Sequence, residues 1–329
     1  MINLKDNIDD PNNLIGKEFD RCIQINDIAK ILNVSPDFVI ECVPNFSEYG
    51  LKYRTLPQNE KNDVIKMIHK TLTREDLTIS NPDALPRWER GWKEILDLAE
   101  KDELHEKLLI PQYFQKQKYL YFNGEYIFPE SNLFEYSLYS IVRKVIFKKY
   151  LSAAEKIIDI GCGTGTSILI LFNLFPTKSF IGCDWSQPAV KLINLISKKT
   201  NADAIGVKFD MFNLEGKEQV NFGTTDAVIT MHAMEQLGSS FKPLLNFILN
   251  KKPSICLHLE PIYELYTNEN DHDQLAQKYH TKRNYLQGFL SELRRLEENN
   301  LVEIIEERRL HIGNAFHEHS SLIIWRPTN

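Results

Sequence analysis

Apolar and polar positions divide the chain into two parts of different character. Over residues 1–130 the apolar side chains show little of the strict alternation that marks a strand, and this part is predicted to be mainly helical. From residue 133 an amphipathic helix is predicted, because apolar residues recur at helical spacing at Phe134, Leu138, Ile141, Val142 and Val145. We therefore predict an N-terminal helical domain (1–130), which caps a substrate, acts as a lid or mediates dimerisation, and a second domain (131–329).

Short apolar runs alternate with helical stretches through the second domain. Such alternation predicts an α/β fold, because parallel neighbouring strands need crossover helices between them. A long amphipathic helix is predicted over residues 275–299, and the two runs after it are predicted to pair antiparallel. The predicted strands are 156–160, 179–183, 204–209, 226–231, 254–259, 302–310 and 321–325.

The composition argues against several classes of protein. Hydrophobic residues make up 43% and charged residues 26%, which is typical of a globular protein. The net charge of −6 argues against nucleic acid or an anionic membrane as a partner. No apolar run has membrane-spanning length, and the polar residues 1–10 do not resemble a signal peptide. The five cysteines show no CxxC spacing, which predicts free thiols, a cytoplasmic location and no zinc site.

A glycine-rich turn after the first predicted strand of the second domain is the strongest chemical signal. Glycine allows a tight turn and a close approach of a ligand to the backbone. The helix that follows offers free N–H groups to an anionic group. The spacing is GxGxG, and Thr166 stands where the dinucleotide fingerprint requires glycine or alanine. The residues of this predicted ligand site are Asp159, Gly161, Cys162, Gly163 and Gly165.

Acidic residues also follow the next two predicted strands. Asp184 comes about 20 residues after the glycine turn, where a carboxylate can accept hydrogen bonds from both ribose hydroxyls. Asp210 closes the third strand and suits an adenine amino group, with Met211 or Phe212 against the ring. Each aspartate alone also fits a capping or turn role. Their occurrence at successive strand ends favours a nucleoside-containing ligand.

These residues resemble the motifs of the class I S-adenosylmethionine (SAM)-dependent methyltransferases of the small-molecule type, over roughly residues 133–329. The resemblance implies a Rossmann-like, seven-stranded, mostly parallel sheet with an antiparallel last strand, in addition to the helical N-terminal domain. It implies that SAM is the cofactor, with the glycine turn around its methionine moiety. It further implies that Asp184 binds the ribose, that Asp210 binds the adenine and that Trp185 packs on the adenine face. The resemblance says little about the substrate.

The loops after the fourth and fifth strands face the methyl donor in that family. Methyl transfer is an in-line displacement, so the enzyme must align a nucleophile and, where required, remove its proton. His232, which follows the fourth strand, is the predicted general base and a predicted cofactor contact. Glu235 and Glu260 are the alternative catalytic residues. A histidine that only hydrogen-bonds its own loop is the other interpretation of His232.

The remaining candidate residues point to a small cationic substrate. Carboxylates suit an amine or a guanidinium, tyrosines can surround a cation, and Arg283 can bind the carboxylate of an amino acid. Two tyrosines of the aromatic stretch 119–129 are predicted to belong to a lid. Each residue also fits a packing or surface role. The predicted substrate-binding set is Tyr121, Tyr126, Glu260, Tyr263, Glu264, Arg283 and Tyr285.

Two further patterns in the sequence bear on a different function. His311, His317 and His319 match no common zinc spacing, and no metal is predicted. Residues 27–40 resemble a helix-turn-helix with Ser35 as an N-cap, which would favour a SAM-binding regulator. The second helix has no arginine, lysine, asparagine or glutamine to read bases, so a packing or dimerisation module is favoured and a homodimer is left open.

The sequence thus predicts an enzyme that transfers the methyl group of SAM to a small molecule. N-methylation of an amine or guanidino compound, such as an arginine-like amino acid, is the favoured reaction. The chemical alternative is an enzyme that cyclises the aminobutyrate arm of SAM to azetidine-2-carboxylate and releases methylthioadenosine. No nucleic acid or membrane partner is predicted.

Overall fold

The N-terminal part of the chain contains strands as well as helices. In the computed structural model, which describes residues 18–102 and 104–328, helices α1 to α4 alternate with four short strands. The prediction of a mainly helical region over residues 1–130 missed these four strands, because strands of two to five residues are too short to show alternation. The elements are β1 (Arg21–Cys22), α1 (Ile25–Leu32), α2 (Pro36–Cys42), β2 (Lys52–Thr55), α3 (Gln58–Leu72), α4 (Leu85–Lys101), β3 (Leu120–Phe122) and β4 (Glu125–Pro129).

The second part follows the predicted alternation of strands and helices. The long helix predicted over residues 275–299 is two helices, since Asn284, with φ 53°, ends the first and Gly288, with φ 87°, precedes the second. The elements are α5 (Phe134–Tyr150), β5 (Lys156–Ile160), α6 (Thr166–Leu174), β6 (Ser179–Asp184), α7 (Gln187–Thr200), β7 (Ala204–Lys208), β8 (Ala227–Met231), α8 (Lys242–Lys251), β9 (Ile255–Glu260), α9 (Asp271–Arg283), α10 (Phe289–Glu298), β10 (Val302–Asn314) and β11 (Ser320–Pro327).

The described strands form one mixed sheet in the order β1-β2-β4-β3-β10-β11-β9-β8-β5-β6-β7. Strands β7, β6, β5, β8 and β9 pair in parallel, and β11 lies antiparallel to β9. The predicted count of seven is wrong for the sheet as a whole, because β3, β4, β2 and β1 continue it beyond β10 in antiparallel pairing. Within residues 156–327 the sheet has the predicted parallel strands and antiparallel closing strand.

Two hydrophobic clusters cover the two faces of the sheet. Successive strand residues point to opposite faces, so Ile157 belongs to one cluster and Ile158 to the other. The first cluster joins side chains of α1, α2 and α4 to those of α5, α6 and α7, while α8 and α10 supply the second. Sheet and core are thus continuous across residue 130, and the division into two domains stays a prediction.

The helix pair α1–α2 is built for packing. The Ser35 Oγ accepts the Phe38 N–H at 3.2 Å, which confirms the predicted N-cap of α2. Both helices contact α5, and α2 buries Val39 and Cys42. No helix of residues 18–102 and 104–328 has the length and apolarity needed to cross a membrane. The prediction about a signal peptide falls on residues 1–10, which lie outside the described residues.

Candidate active site

A cleft opens at the carboxyl ends of the parallel strands, the usual ligand position in open α/β sheets. The cleft is narrow, with about 90 Å³ of interior space open to water-sized molecules. The strand side supplies Asp159, Gly161, Cys162, Gly163, Thr164, Asp184, Trp185, Phe209, Met211, Phe212, Met231, His232, Ala233 and Gln236. The opposite side, from α4, α5 and α6 and the segment 111–114, supplies Trp88, Trp92, Pro111, Tyr113, Phe114, Tyr139, Arg143, Thr166 and Ser167.

The glycine turn forms the floor of this cleft. The backbone N–H groups of Gly161 and Cys162 both donate to the Cys183 carbonyl, at 2.8 and 3.0 Å, and this folds the turn over the end of β6. Gly161 has φ 80°, and a Cβ there would lie 2.3 Å from the Cβ of Ala233. The turn therefore requires glycine both for its backbone conformation and for lack of space.

Asp184 is held in place by the backbone around it. Its Oδ2 accepts the Gly163 N–H at 3.0 Å and its Oδ1 accepts the Ser186 N–H at 2.8 Å. Burial raises the pKa of this carboxyl to about 6, so it is mainly ionised at neutral pH. Each oxygen keeps a lone pair for a further donor. A ribose with two hydroxyls matches this acceptor.

The aromatic rings of Trp185 and Phe212 provide flat apolar surface in the same part of the cleft, with ring centres 5.6 Å apart. The Oδ1 of Asp210 accepts the Phe212 N–H at 2.8 Å and thereby supports the loop that carries Met211 and Phe212. Asp210 itself does not line the cleft. Its predicted contact with adenine stays a prediction.

Two buried charged groups in the cleft have unused hydrogen-bonding atoms. Asp159 is 1% exposed, and neither carboxylate oxygen has a partner. Burial raises its pKa to about 7, with Asp184 and Glu260 adding to the effect and Arg143 opposing it. The fully buried Arg143 donates through Nη1 to Thr166 and Ser167, but its Nε and Nη2 have no partner. Because buried polar atoms are nearly always paired, this pattern is typical of a ligand site.

The unused atoms fit the two charges of an α-amino acid moiety. The Asp159 carboxylate would hold an ammonium group, and the Arg143 guanidinium would hold a carboxylate. With Asp184 for the ribose and Trp185 for the adenine, the cleft has the donors and acceptors that SAM needs. Arg143 was not predicted from the sequence. It directly follows the apolar residues Ile141 and Val142 of α5, and a charged residue beside that apolar pair was the signal available for it.

His232 lines the cleft close to the glycine turn. Its ring stacks on that of Tyr139, with centres 4.5 Å apart, and its Nε2 lies 3.3 Å from the Ser320 Oγ. Burial lowers the pKa of His232 well below its usual range, and the charges of His319 and Arg143 add to this. The imidazole is therefore neutral at pH 7 and can accept a proton.

The two glutamates predicted as alternative catalytic residues do not line the cleft. Glu260 is fully buried and accepts the backbone N–H groups of Ala233, Met234 and Glu235, at 2.9, 3.1 and 3.3 Å. It thus fixes the loop that follows His232. Burial raises the pKa of Glu235 to about 8, and the charge of Glu260 adds to this, so Glu235 is mainly protonated at pH 7. The structure assigns neither glutamate a contact with the cleft.

The predicted lid tyrosines lie inside the sheet extension. Tyr121 is on β3 and Tyr126 on β4, and both are buried. The Tyr121 ring stacks on that of His272, with centres 3.5 Å apart, and the Tyr126 hydroxyl lies 3.1 Å from the His272 Nδ1. Neither tyrosine lines the cleft. The aromatic stretch 119–129 therefore contains the paired strands β3 and β4 and packs against α9.

The other predicted substrate-binding residues also lie away from the cleft. The ring of Tyr263 approaches that of His280, and the Glu264 Oε1 lies 3.5 Å from the Ser291 nitrogen. The Arg283 Nη2 donates to the Tyr285 hydroxyl at 2.9 Å in a buried cluster. None of these four lines the cleft, although Gln236, beside Glu235, does. Their predicted roles remain untested.

The three histidines near the C-terminal end have separate partners. Among the residues that the structure describes, no group of three or more potential metal-ligating side chains comes together. The contacts are His311 Nδ1 to Glu318 Oε1 at 3.2 Å, His317 Nδ1 to His280 Nε2 at 3.1 Å, and His319 Nε2 to Glu135 Oε1 at 3.0 Å.

Comparison with solved structures returns distant likenesses. The chain is 11% identical to the [4+2]-cyclase SpnF, covering 76% of this chain and 96% of SpnF with a TM-score of 0.47. It is 14% identical to the N,N-8-amino-8-demethyl-D-riboflavin dimethyltransferase RosA of Streptomyces davawensis, covering 93% and 89% with a TM-score of 0.39. It is 10% identical to the pyocyanin biosynthetic protein PhzM, with a TM-score of 0.40, and covers 60% of this chain and 59% of PhzM.

A comparison with curated proteins gave no match. Residues 151–309 match a family model described as a methyltransferase domain. This segment contains the glycine turn, Asp159, Asp184 and His232, so the matched region supplies the strand side of the cleft. Residues 151–309 of this enzyme therefore form a methyltransferase domain, whose cofactor is S-adenosylmethionine.

Proposed function

We propose that this enzyme transfers the methyl group of SAM to a small aromatic acceptor, at an oxygen or nitrogen whose proton is accepted by His232. The observation that carries the proposal is the neutral imidazole of His232 on the wall of the cleft. It is flanked by the rings of Tyr139 and Phe114, at centre distances of 4.5 and 6.5 Å. A base in this environment suits an acceptor that is itself apolar apart from the reacting group.

The wall opposite the strand ends supports an aromatic acceptor. Trp88 and Trp92 stack at a centre distance of 5.3 Å, and Trp88 meets Tyr113 edge to face at 6.5 Å. Together with Phe114 these rings offer a flat apolar surface, on which an aromatic substrate gains both burial and ring contacts. The N–H of Trp88 is buried without a partner, so it can donate to a polar substituent of the acceptor.

The prediction of a cationic acceptor has less support. Among the described residues that line the cleft, the carboxylates are Asp159 and Asp184, which lie at the glycine turn and fit the cofactor. Glu260 and Glu264, on which an amine or guanidinium was predicted to bind, lie elsewhere. Methylation of an arginine-like amino acid therefore stays a prediction, and the experiment below tests it beside the aromatic acceptors.

The mechanism follows from the residues of the cleft. Bound SAM supplies an electrophilic methyl group that an acceptor lone pair attacks in line. Asp159 and Arg143 would hold the methionine arm, and Asp184 the ribose. His232 takes the proton of the acceptor O–H or N–H and becomes an imidazolium. The aromatic wall orients the acceptor ring and keeps water away from the reacting atoms.

Mass spectrometry of the purified enzyme tests the proposal. The protein is incubated with SAM alone, with a panel of phenols and aromatic N-heterocycles, and with amino acids that include arginine. We expect S-adenosylhomocysteine to form with an aromatic acceptor, together with a product heavier by one methyl group. His232→Asn should lower kcat about 100-fold or more, whereas the exposed His69→Asn should leave it unchanged.

Each other outcome points to a different function. Product formed with amino acids alone would replace the aromatic acceptor by a cationic one. Methylthioadenosine released without an acceptor would establish cyclisation of SAM itself. SAM binding without any product would favour a SAM-binding regulator.

A further inference from the structure

We propose that Ser320, His319 and Glu135 form a buried relay behind His232, which sets its tautomer and receives the proton that it takes from the acceptor. The inference deepens the proposed function and rests on it, because it assumes that His232 is the base. The three residues do not line the cleft and are positioning residues.

Three consecutive contacts connect the cleft to a buried carboxylate. The His232 Nε2 lies 3.3 Å from the Ser320 Oγ, and the same Oγ lies 2.7 Å from the His319 Nδ1. The His319 Nε2 lies 3.0 Å from the Glu135 Oε1, although the N–H is not aligned as a full hydrogen bond. Ser320 is 1% exposed, His319 5% and Glu135 6%. The chain of contacts joins the loop after β8 to the start of β11 and to α5.

The relay requires one tautomer for each ring. A carboxylate only accepts hydrogen bonds, so the relay places a proton on the His319 Nε2, which lies 3.0 Å from the Glu135 Oε1. The Nδ1 of a neutral His319 is then an acceptor, and the Ser320 hydroxyl donates to it. The Ser320 Oγ in turn accepts from the His232 Nε2–H. His232 is left with an unprotonated Nδ1, the form that a general base needs.

The same order of donors and acceptors determines where the proton taken from the acceptor goes. When the His232 Nδ1 takes the acceptor proton, the ring becomes an imidazolium. Its Nε2 proton passes to the Ser320 Oγ, and the Ser320 hydroxyl proton passes to the His319 Nδ1. His232 and Ser320 are then neutral again, and His319 is an imidazolium that faces the Glu135 carboxylate. No proton is lost or created, and the positive charge leaves the cleft.

Glu135 does not resemble a carboxylate with a purely structural role. The Oε2 of Glu135 is buried without a partner, whereas the buried Glu260 accepts three backbone N–H groups. An ionised carboxylate that lacks such donors is costly unless it faces a positive charge. In the relay, the imidazolium that forms at His319 after proton transfer supplies that charge. The groups that face His232 are Tyr139 and Arg143 of α5, Phe114 and His319.

Nitrogen-15 NMR of the full-length enzyme with S-adenosylhomocysteine tests the tautomers without any acceptor. The spectra of His232→Asn and His319→Asn assign the two rings among the nine histidines. We expect both rings in the Nε2–H form in the wild-type protein. In Ser320→Ala, the His232 ring should become a mixture of both tautomers. His232 in the Nδ1–H form, or an unchanged His232 signal in Ser320→Ala, would overturn the relay.

Kinetics with an acceptor identified by mass spectrometry test the role of the relay in catalysis. Ser320→Ala, His319→Asn and Glu135→Gln should each lower kcat about 10- to 100-fold, part of what a positioned base contributes, with little change in the acceptor KM. Ser320→Thr, which keeps the hydroxyl, should restore most of the rate. The buried His272→Asn, whose ring lies beside the Tyr126 hydroxyl away from the relay, is the matched control and should leave kcat unchanged.

The two proposals fail in different ways. If the wild-type enzyme methylates an acceptor while the three relay variants keep its kcat, the relay is refuted and the proposed function stands. If no acceptor is methylated, the proposed function fails, and the relay fails with it as a catalytic device, whatever tautomers the NMR spectra report.

Discussion

Replacing Asp159 by asparagine should stabilise the cofactor-free protein and weaken SAM binding at the same time. The carboxylate is 1% exposed, and its two oxygens have no hydrogen-bond partner. Asparagine has nearly the same shape and no charge. The substitution therefore removes the charge while it preserves the packing of β5.

The size of the stabilisation follows from the pKa. Burial raises the pKa of Asp159 from its ordinary 3.8 to about 7, so its ionised form costs the folded chain about 4 kcal/mol relative to the unfolded chain. The folded state binds the extra proton between these two pKa values, so this cost grows as pH rises from about 4 and is complete above about 7. An amide leaves polar atoms unpaired as well. We therefore expect Asp159→Asn to be about 2 to 4 kcal/mol more stable at pH 8 and nearly neutral at pH 5.

SAM binding should change in the opposite direction. Loss of a charge-assisted contact with the ammonium group costs about 1.5–3 kcal/mol, which corresponds to about 10- to 100-fold weaker binding. In the wild-type protein, Asp159 must lose its proton to hold the ammonium group. The SAM Kd should then rise about tenfold from pH 8 to pH 6, and this part of the pH dependence should disappear in Asp159→Asn.

Two measurements check this reasoning. Urea unfolding of the cofactor-free proteins at pH 5 and pH 8 gives the stabilities, and calorimetry at pH 6 and pH 8 gives the Kd. The exposed Asp83→Asn serves as the control and should change neither quantity. Equal effects of Asp159→Asn on stability at both pH values, or an unchanged Kd for SAM, would refute the assignment of a strained ionised carboxylate that faces the cofactor.

Three further predictions concern the glycine turn, a buried ion pair and the base. Gly161→Ala should abolish SAM binding in calorimetry, because its Cβ would lie 2.3 Å from a neighbouring side chain, whereas Gly223→Ala, with open space around it, should bind normally. Arg309→Met should cost about 3–5 kcal/mol in urea unfolding at pH 7, because it leaves the buried carboxylates of Asp273 and Glu318 without their shared counter-charge. Arg309 lowers the pKa of Asp273 below its ordinary 3.8, so the part of this loss that comes from Asp273 should disappear only as the pH falls below about 4. At saturating SAM, the acid limb of kcat should lie well below pH 6.5, since the pKa of His232 is lowered; a limb at 6.5 would contradict a buried base.

The glycine-turn side of the cleft could be predicted from the sequence because its signals are local. A buried strand followed by glycines fixes the turn within a few residues, and Asp184 follows the next strand in the same way. The N-terminal strands could not be predicted, because β1 has two residues and gains its stability from pairing with β2, about 30 residues away along the chain. Contacts across such separations leave no periodicity in the sequence.

The residues that line the other side of the cleft could not be predicted, for a different reason. A carboxylate at a strand end, such as Glu260, suits a ligand or the backbone N–H groups of the next loop equally well, and the sequence does not distinguish the two. Arg143 and Glu135 both lie on α5, a helix whose spacing indicates burial against the sheet. Burial of a charged residue becomes informative only when its partners are known, and those partners are Thr166, Ser167 and His319.

The two walls of the cleft come from different parts of the chain, so substitutions in one wall should affect SAM binding and substitutions in the other should affect acceptor binding. The groups that fit SAM come mainly from residues 159–212, whereas the aromatic wall comes from α4 and from the segment 111–114. The Lys199 ammonium of α7 donates to the Ala99 and Asp102 carbonyls, at 2.7 and 2.6 Å. These bonds hold the C-terminal end of α4 against α7. Because α4 is held at that end, substitution of Trp88 near its other end should change the acceptor KM and leave the Kd for SAM unchanged. A weaker Kd for SAM in Trp88→Ala would mean that the two walls form one site.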